Sequence, residues 1–78
     1  MTESEALDWL AVLFDESPGS LARDTPREDV PSWDSVGTLT LMAEMDSRFG
    51  VLLSDTDLRG LLKVSDVLDI LARNGHLK

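Results

Sequence analysis

Apolar residues recur at helical spacing in two long stretches and two shorter ones, and nowhere do they alternate convincingly as a strand between turn signals. The first stretch predicts a helix over about Glu3 to Asp15, with Leu7, Leu10, Leu13 and Phe14 on one stripe and Trp9 and Val12 off its centre. Thr2 and Glu5 have the spacing of a capping box, and Ser17-Pro18-Gly19-Ser20 stops the helix. The second stretch predicts a helix over about Ser35 to Phe49. Its stripe is Val36, Leu39, Met42, Ala43, Met45 and Phe49, with Asp34 or Ser35 as N-cap and Gly50 as a left-handed C-cap. A short third helix is expected at about Asp57 to Leu62, capped by Ser54 or Asp55. A fourth is expected at about Asp66 to Arg73, capped by Ser65 and apolar at Val67, Leu68, Ile70 and Leu71. Asn74-Gly75 closes it, and the tail from Gly75 to Lys78 is expected to fray.

Between the two long helices, residues 17–34 form a connection without clear periodicity that holds all three prolines. Loops of that length in a small fold are often functional or pinned to the surface, and Leu21 and Val30 are the residues that would anchor this one. The predicted architecture is all-α: a small four-helix bundle, three longer helices and one short, with a long loop between helix 1 and helix 2. A chain of 78 residues fits one domain over 1–78 with an ordered core of about 3–74 and one modest hydrophobic core.

Charge narrows the classes of partner. Fifteen acidic residues against seven basic give a formal net charge of −8, which repels phosphate backbones and anionic lipid surfaces and attracts basic patches on proteins. Nucleic acid and membrane insertion are therefore not expected. No run of apolar residues approaches a membrane span, and MTESEALDWL lacks the basic start and apolar stretch of a signal peptide. The absence of cysteine removes disulfides and thiolate chemistry. A soluble, cytoplasmic monomer is the expectation.

Catalysis by the chain itself finds little support. There is no G-x-S-x-G elbow, and the one histidine, His76, lies in the terminal tail. Without a positioned base, a serine hydroxyl is a weak nucleophile. Asp55, Asp57 and Gly60, with Asp66 eleven places after Asp55, follow part of a calcium-loop pattern, but Arg59 stands where a third oxygen ligand belongs. The stretch that stands out is Trp33-Asp34-Ser35-Val36, which sets a serine where a loop becomes an amphipathic helix. There a phosphate group would meet free N–H groups and the positive end of the helix dipole.

Asp34-Ser35-Val36 precedes a helix ending Arg48-Phe49-Gly50; Val51-Leu52-Leu53 and Asp55 follow, and then Val64-Ser65-Asp66-Val67-Leu68-Asp69-Ile70-Leu71. Together these resemble the acyl carrier proteins over roughly Leu7 to Leu71. The tripeptide alone is weak; the combination is specific. The resemblance implies a non-catalytic carrier whose Ser35 accepts 4′-phosphopantetheine from a phosphopantetheinyl transferase, so that acyl groups ride as thioesters on the arm. Acyl-loading and acyl-transfer enzymes with basic docking patches would be its other partners, meeting Trp33, Asp34, Val36, Glu44 and Asp46. By the same resemblance, Val36, Leu39, Met42, Leu53, Leu62 and Leu68 would line an acyl pocket between the helices; from periodicity they read simply as core.

The chain also departs from the family's pattern. Gly37 stands where an aspartate is common, Thr40 and Ser47 where glutamates are typical, and Arg48 adds a positive charge, leaving Glu44 and Asp46. Partner choice follows electrostatic complementarity, so a dedicated carrier for a specialised lipid, polyketide or polysaccharide-acylation pathway fits better than a housekeeping fatty-acid carrier. Trp33 replaces the small residue usual before the aspartate, either plugging the loop onto the bundle or anchoring a partner. A peptidyl carrier would have glycines before the serine, which Val30-Pro31-Ser32-Trp33 lacks. An unmodified acidic interaction module is the alternative outside carriers.

Overall fold

The computed structural model describes residues 1–78. Its elements are α1 (Glu3–Leu13), a single 3-10 turn (Arg27–Asp29), α2 (Ser35–Phe49), α3 (Asp55–Arg59) and α4 (Val64–Arg73). The fold is all-α, three longer helices and one short, and its only bridge-like pairing joins Pro26 to Lys63.

Local chemistry sets most helix ends. Thr2 and Glu5 form the reciprocal capping box that starts α1. Gly50, at φ 66°, ends α2 in the left-handed conformation, its N–H donating to Asp46 O and that of Val51 to Met45 O. α3 lies earlier than its apolar pattern suggests. Ser54 and Asp57 cap each other reciprocally, so the helix begins at Asp55, and it ends at Arg59. α4 also begins earlier, at Val64. The Asp66 carboxylate accepts from the N–H groups of Leu62 and Lys63, at 2.9 and 3.0 Å, so Ser65 is a buried first-turn residue and not the cap. Asp57 and Asp66, two of the carboxylates of the partial calcium-loop pattern, are thus engaged as helix caps.

The long connection is hydrogen-bonded into the bundle. Arg23 O and Thr25 O accept from Ser65 N and Val64 N, at 2.7 and 3.0 Å, while Arg27 N donates to Leu62 O at 2.9 Å. Loop carbonyls therefore satisfy donors that the first turn of α4 would otherwise leave open. Leu21 and Val30 enter the core as expected.

The core itself corrects two helix faces. In α1 the buried residues are Ala6, Trp9, Leu10 and Ala11, with Phe14 just past the end; Trp9 is only 9% exposed and meets Phe49 edge-on at 5.3 Å. In α2 the buried stripe is Gly37, Leu41 and Met45, one residue in every four, with Met42 and Phe49 half-buried beside it. Val36, Leu39 and Ala43 face solvent instead. The helix carries apolar residues around much of its circumference, so periodicity alone selected the wrong side.

The terminal segment is held rather than frayed. The Met1 ammonium donates to His76 O at 3.0 Å, and Lys78 N donates to Met1 O at 2.9 Å. The His76 ring lies 5.1 Å from Phe49, and Leu77 packs on the core.

Candidate functional site

Ser35 is the first residue of α2, and its side chain is exposed. The capping duty falls to Asp34, whose carboxylate accepts from Gly37 N at 2.9 Å. Asp34 O also accepts from Thr38 N and from the Thr38 hydroxyl, both at 2.8 Å. The N–H groups of Ser35 and Val36 belong to the first turn and have no intrahelical acceptor. That turn carries no acidic residue of its own.

Two loop residues fix the geometry just before the serine. Trp33 is 3% exposed and stacks on Phe14, with ring centroids 4.9 Å apart and planes 20° from parallel. Arg27 clamps the loop to the helix: Nε donates to Trp33 O at 3.1 Å, Nη2 donates to Thr38 Oγ1 at 2.9 Å, and the guanidinium lies 5.7 Å from the centre of the Trp33 ring. Trp33 is therefore a core plug. An exposed aromatic contact for a partner is not what its side chain offers.

Gly37 has a steric reason of its own. A Cβ at this position would lie 1.9 Å from Ser32 O and 3.5 Å from Phe14 Cε1. The loop backbone crosses the helix here too closely for any side chain, so an acidic residue has no room. Sequence reading registered the glycine as an electrostatic gap; its cause is a packing contact, which only the fold reveals.

The remaining predicted positions divide. Asp34, Val36 and Asp46 are exposed, and Glu44 is half-buried. Of the six positions read as core, only Leu68 is fully buried, while Met42 and Leu53 are half-buried. Val36, Leu39 and Leu62 are 71%, 63% and 68% exposed, so they lie on the outside of the bundle and do not face its interior. Sequence reading missed Arg27, because an arginine in a proline-rich loop carries no periodic signal. It also missed the open cleft of about 610 Å³ that Arg27 and Trp33 help to wall.

Nothing in this geometry activates Ser35 from within the chain. His76 packs against Phe49 at the far end of α2, roughly 21 Å from Ser35 at 1.5 Å per residue. What the site can do is present a hydroxyl to another protein and stabilise a phosphate attached there. The open N–H groups and the nearby Arg27 suit an anion, while the Asp34 carboxylate already at the helix end opposes a second one.

No protein-family model matches the sequence, and no curated protein matches it. Among solved structures, the chain is similar to the solution NMR structure of a holo acyl carrier protein from Geobacter metallireducens. The TM-score is 0.76 at 24% identity, over 91% of this chain and 83% of that one. The fold is shared.

Proposed function

We propose that this chain is an acyl carrier, with Ser35 the attachment point for 4′-phosphopantetheine. The observation that carries the reading is the exposed Ser35 at the first position of α2, relieved of capping by Asp34, within the D-S-V context and this fold. In the modification, Ser35 Oγ forms a bond to the phosphorus that bears the pantetheine chain of coenzyme A. The bond between that phosphorus and the bridging oxygen of the pyrophosphate breaks, adenosine 3′,5′-bisphosphate leaves, and the hydroxyl proton passes to a base of the transferase. The bound arm supplies a thiol that holds acyl groups as thioesters; the chain's own residues position it and are recognised by partners.

The recognition face proposed is the outer side of α2. Val36 and Leu39 are exposed apolar residues three apart, so they share a face, and the exposed Asp34 and Asp46 supply the charge that basic docking patches would read. That face is poorer in acid than a housekeeping fatty-acid carrier's, and Gly37 cannot be made acidic without moving the loop. A dedicated pathway for a specialised lipid, polyketide or polysaccharide acylation is the reading this supports.

The test is intact mass spectrometry after incubation with a phosphopantetheinyl transferase and coenzyme A. A gain of one phosphopantetheinyl group is expected, and Ser35→Ala should abolish it. No gain with several transferases would end the carrier reading.

A further inference from the structure

The open cleft starts two residues before Ser35. Arg27, Glu28, Val30, Pro31 and Trp33 wall it on the loop side, and Leu62 walls it from the link between α3 and α4. We infer that this cleft is the seat of the arm carried on Ser35, with Arg27 taking the phosphodiester and Val30, Pro31, Trp33 and Leu62 taking the chain beyond it. This inference rests on the attachment proposed above.

Charge is the first support. The Asp34 carboxylate already occupies the positive end of α2, so a phosphodiester on Ser35 sets a second anion beside the first and calls for a cation. Arg27 is the cation that touches the first turn, through Thr38 Oγ1. Its fork carries five N–H donors. Trp33 O and Thr38 Oγ1 take one each, and the rest remain for a phosphate oxygen in the geometry that guanidinium favours. Glu28 on the wall has the opposite effect and disfavours further negative charge inside. The pair selects an occupant that is anionic at one end and neutral along its body, as a pantetheine chain is.

The wall gives independent support. Trp33 is almost wholly buried, and it forms part of the wall. Leu62 is a large apolar residue left mostly exposed at the cleft, and covering it with the arm's methyl and methylene groups removes apolar surface from water.

The experiment compares isotope-labelled apo and phosphopantetheinylated protein by NMR, with intact mass confirming the loading. Nuclear Overhauser contacts are expected from the arm's geminal methyl protons to the Leu62 methyls and the Trp33 ring. The Trp33 indole N–H signal should shift, while that of Trp9, packed on Phe49 at the other end of α2, should stay. Leu62→Ser, at an exposed position, should lose those contacts with the mass gain intact, and Arg27→Gln should release the arm in the same way. Should Arg27→Gln loosen the loop, Leu62→Ser alone decides. Full mass gain with shifts confined to residues 34–38 and no contacts from the arm would overturn the inference and leave attachment standing. Failure to load at all would overturn both.

Discussion

Gly37 shows how a single residue can be set by backbone packing and still bear on function. The loop carbonyl of Ser32 passes where a Cβ would be, at 1.9 Å, and because the clash is with loop backbone no flexible side-chain end can yield. Gly37→Ala would gain about 1 kcal/mol of helix propensity in an interior position, and less in a first turn. Overpacking of this kind costs about 1–3 kcal/mol and can cost more. Net destabilisation is therefore expected, seen as a lower midpoint in thermal or urea unfolding; an unchanged or higher midpoint would show that the loop moves aside freely. Trp33 belongs to the same contact. Its identity was plain in the sequence, but its burial was not, because an aromatic residue next to a candidate site reads equally well as plug or as anchor. Stacking on Phe14 and clamping by Arg27 decide for the plug.

At the scale of elements, most features written in neighbouring residues were legible, although the cap of α4 was assigned to Ser65 where Asp66 serves, and those requiring distant partners were not. The Thr2–Glu5 box, the Gly50 cap and the cap at Asp34 depend on three- or four-residue spacings, and each is present. The buried side of α2 depends on what packs against it, and the loop at Ser32 and Phe14 selects Gly37, Leu41 and Met45 over the more apolar Val36 and Leu39. Leu62, read as helix and core, lies instead in an extended link bonded to Arg27. The caps also set the acid response of the helices. The backbone N–H of Ser54 and then the Arg73 guanidinium hold the Asp57 carboxyl below the usual aspartate range, and the backbone N–H of Thr2 does the same for Glu5. Both carboxyls have folded values below their unfolded ones, so their contribution is complete above the ordinary carboxylate range, about 4, and is lost as pH falls through the depressed values. Through these groups, stability should thus be independent of pH near neutrality. Asp57→Asn should lower the urea midpoint at pH 7 and narrow its gap to the parent at pH 3. An equal gap at both values would show that Asp57 acts without its charge.

Across the whole molecule, the excess of acid has opposite effects on folding and on encounter. Fifteen acidic residues against seven basic repel one another in the compact state. Ion pairs such as Arg23 with Glu3 and Asp69, and Arg73 with Asp57, are solvent-exposed and individually weak. Salt screens the repulsion over distances of about 10 Å at 0.1 M and about 3 Å at 1 M. The melting temperature should therefore rise or hold as sodium chloride increases. On the proposed carrier reading, docking to a basic transferase surface depends on attraction across the same solvent, and steered association falls steeply with ionic strength. The rate of Ser35 loading at low carrier concentration should consequently drop over the same salt series. The transferase's own turnover, measured with a neutral serine-containing peptide, serves as the reference. Opposite trends would place the net charge in service of recognition at a measurable expense to folding. A loading rate that ignores salt would shift recognition to the apolar pair Val36 and Leu39, and Val36→Asp would then slow loading at every salt concentration.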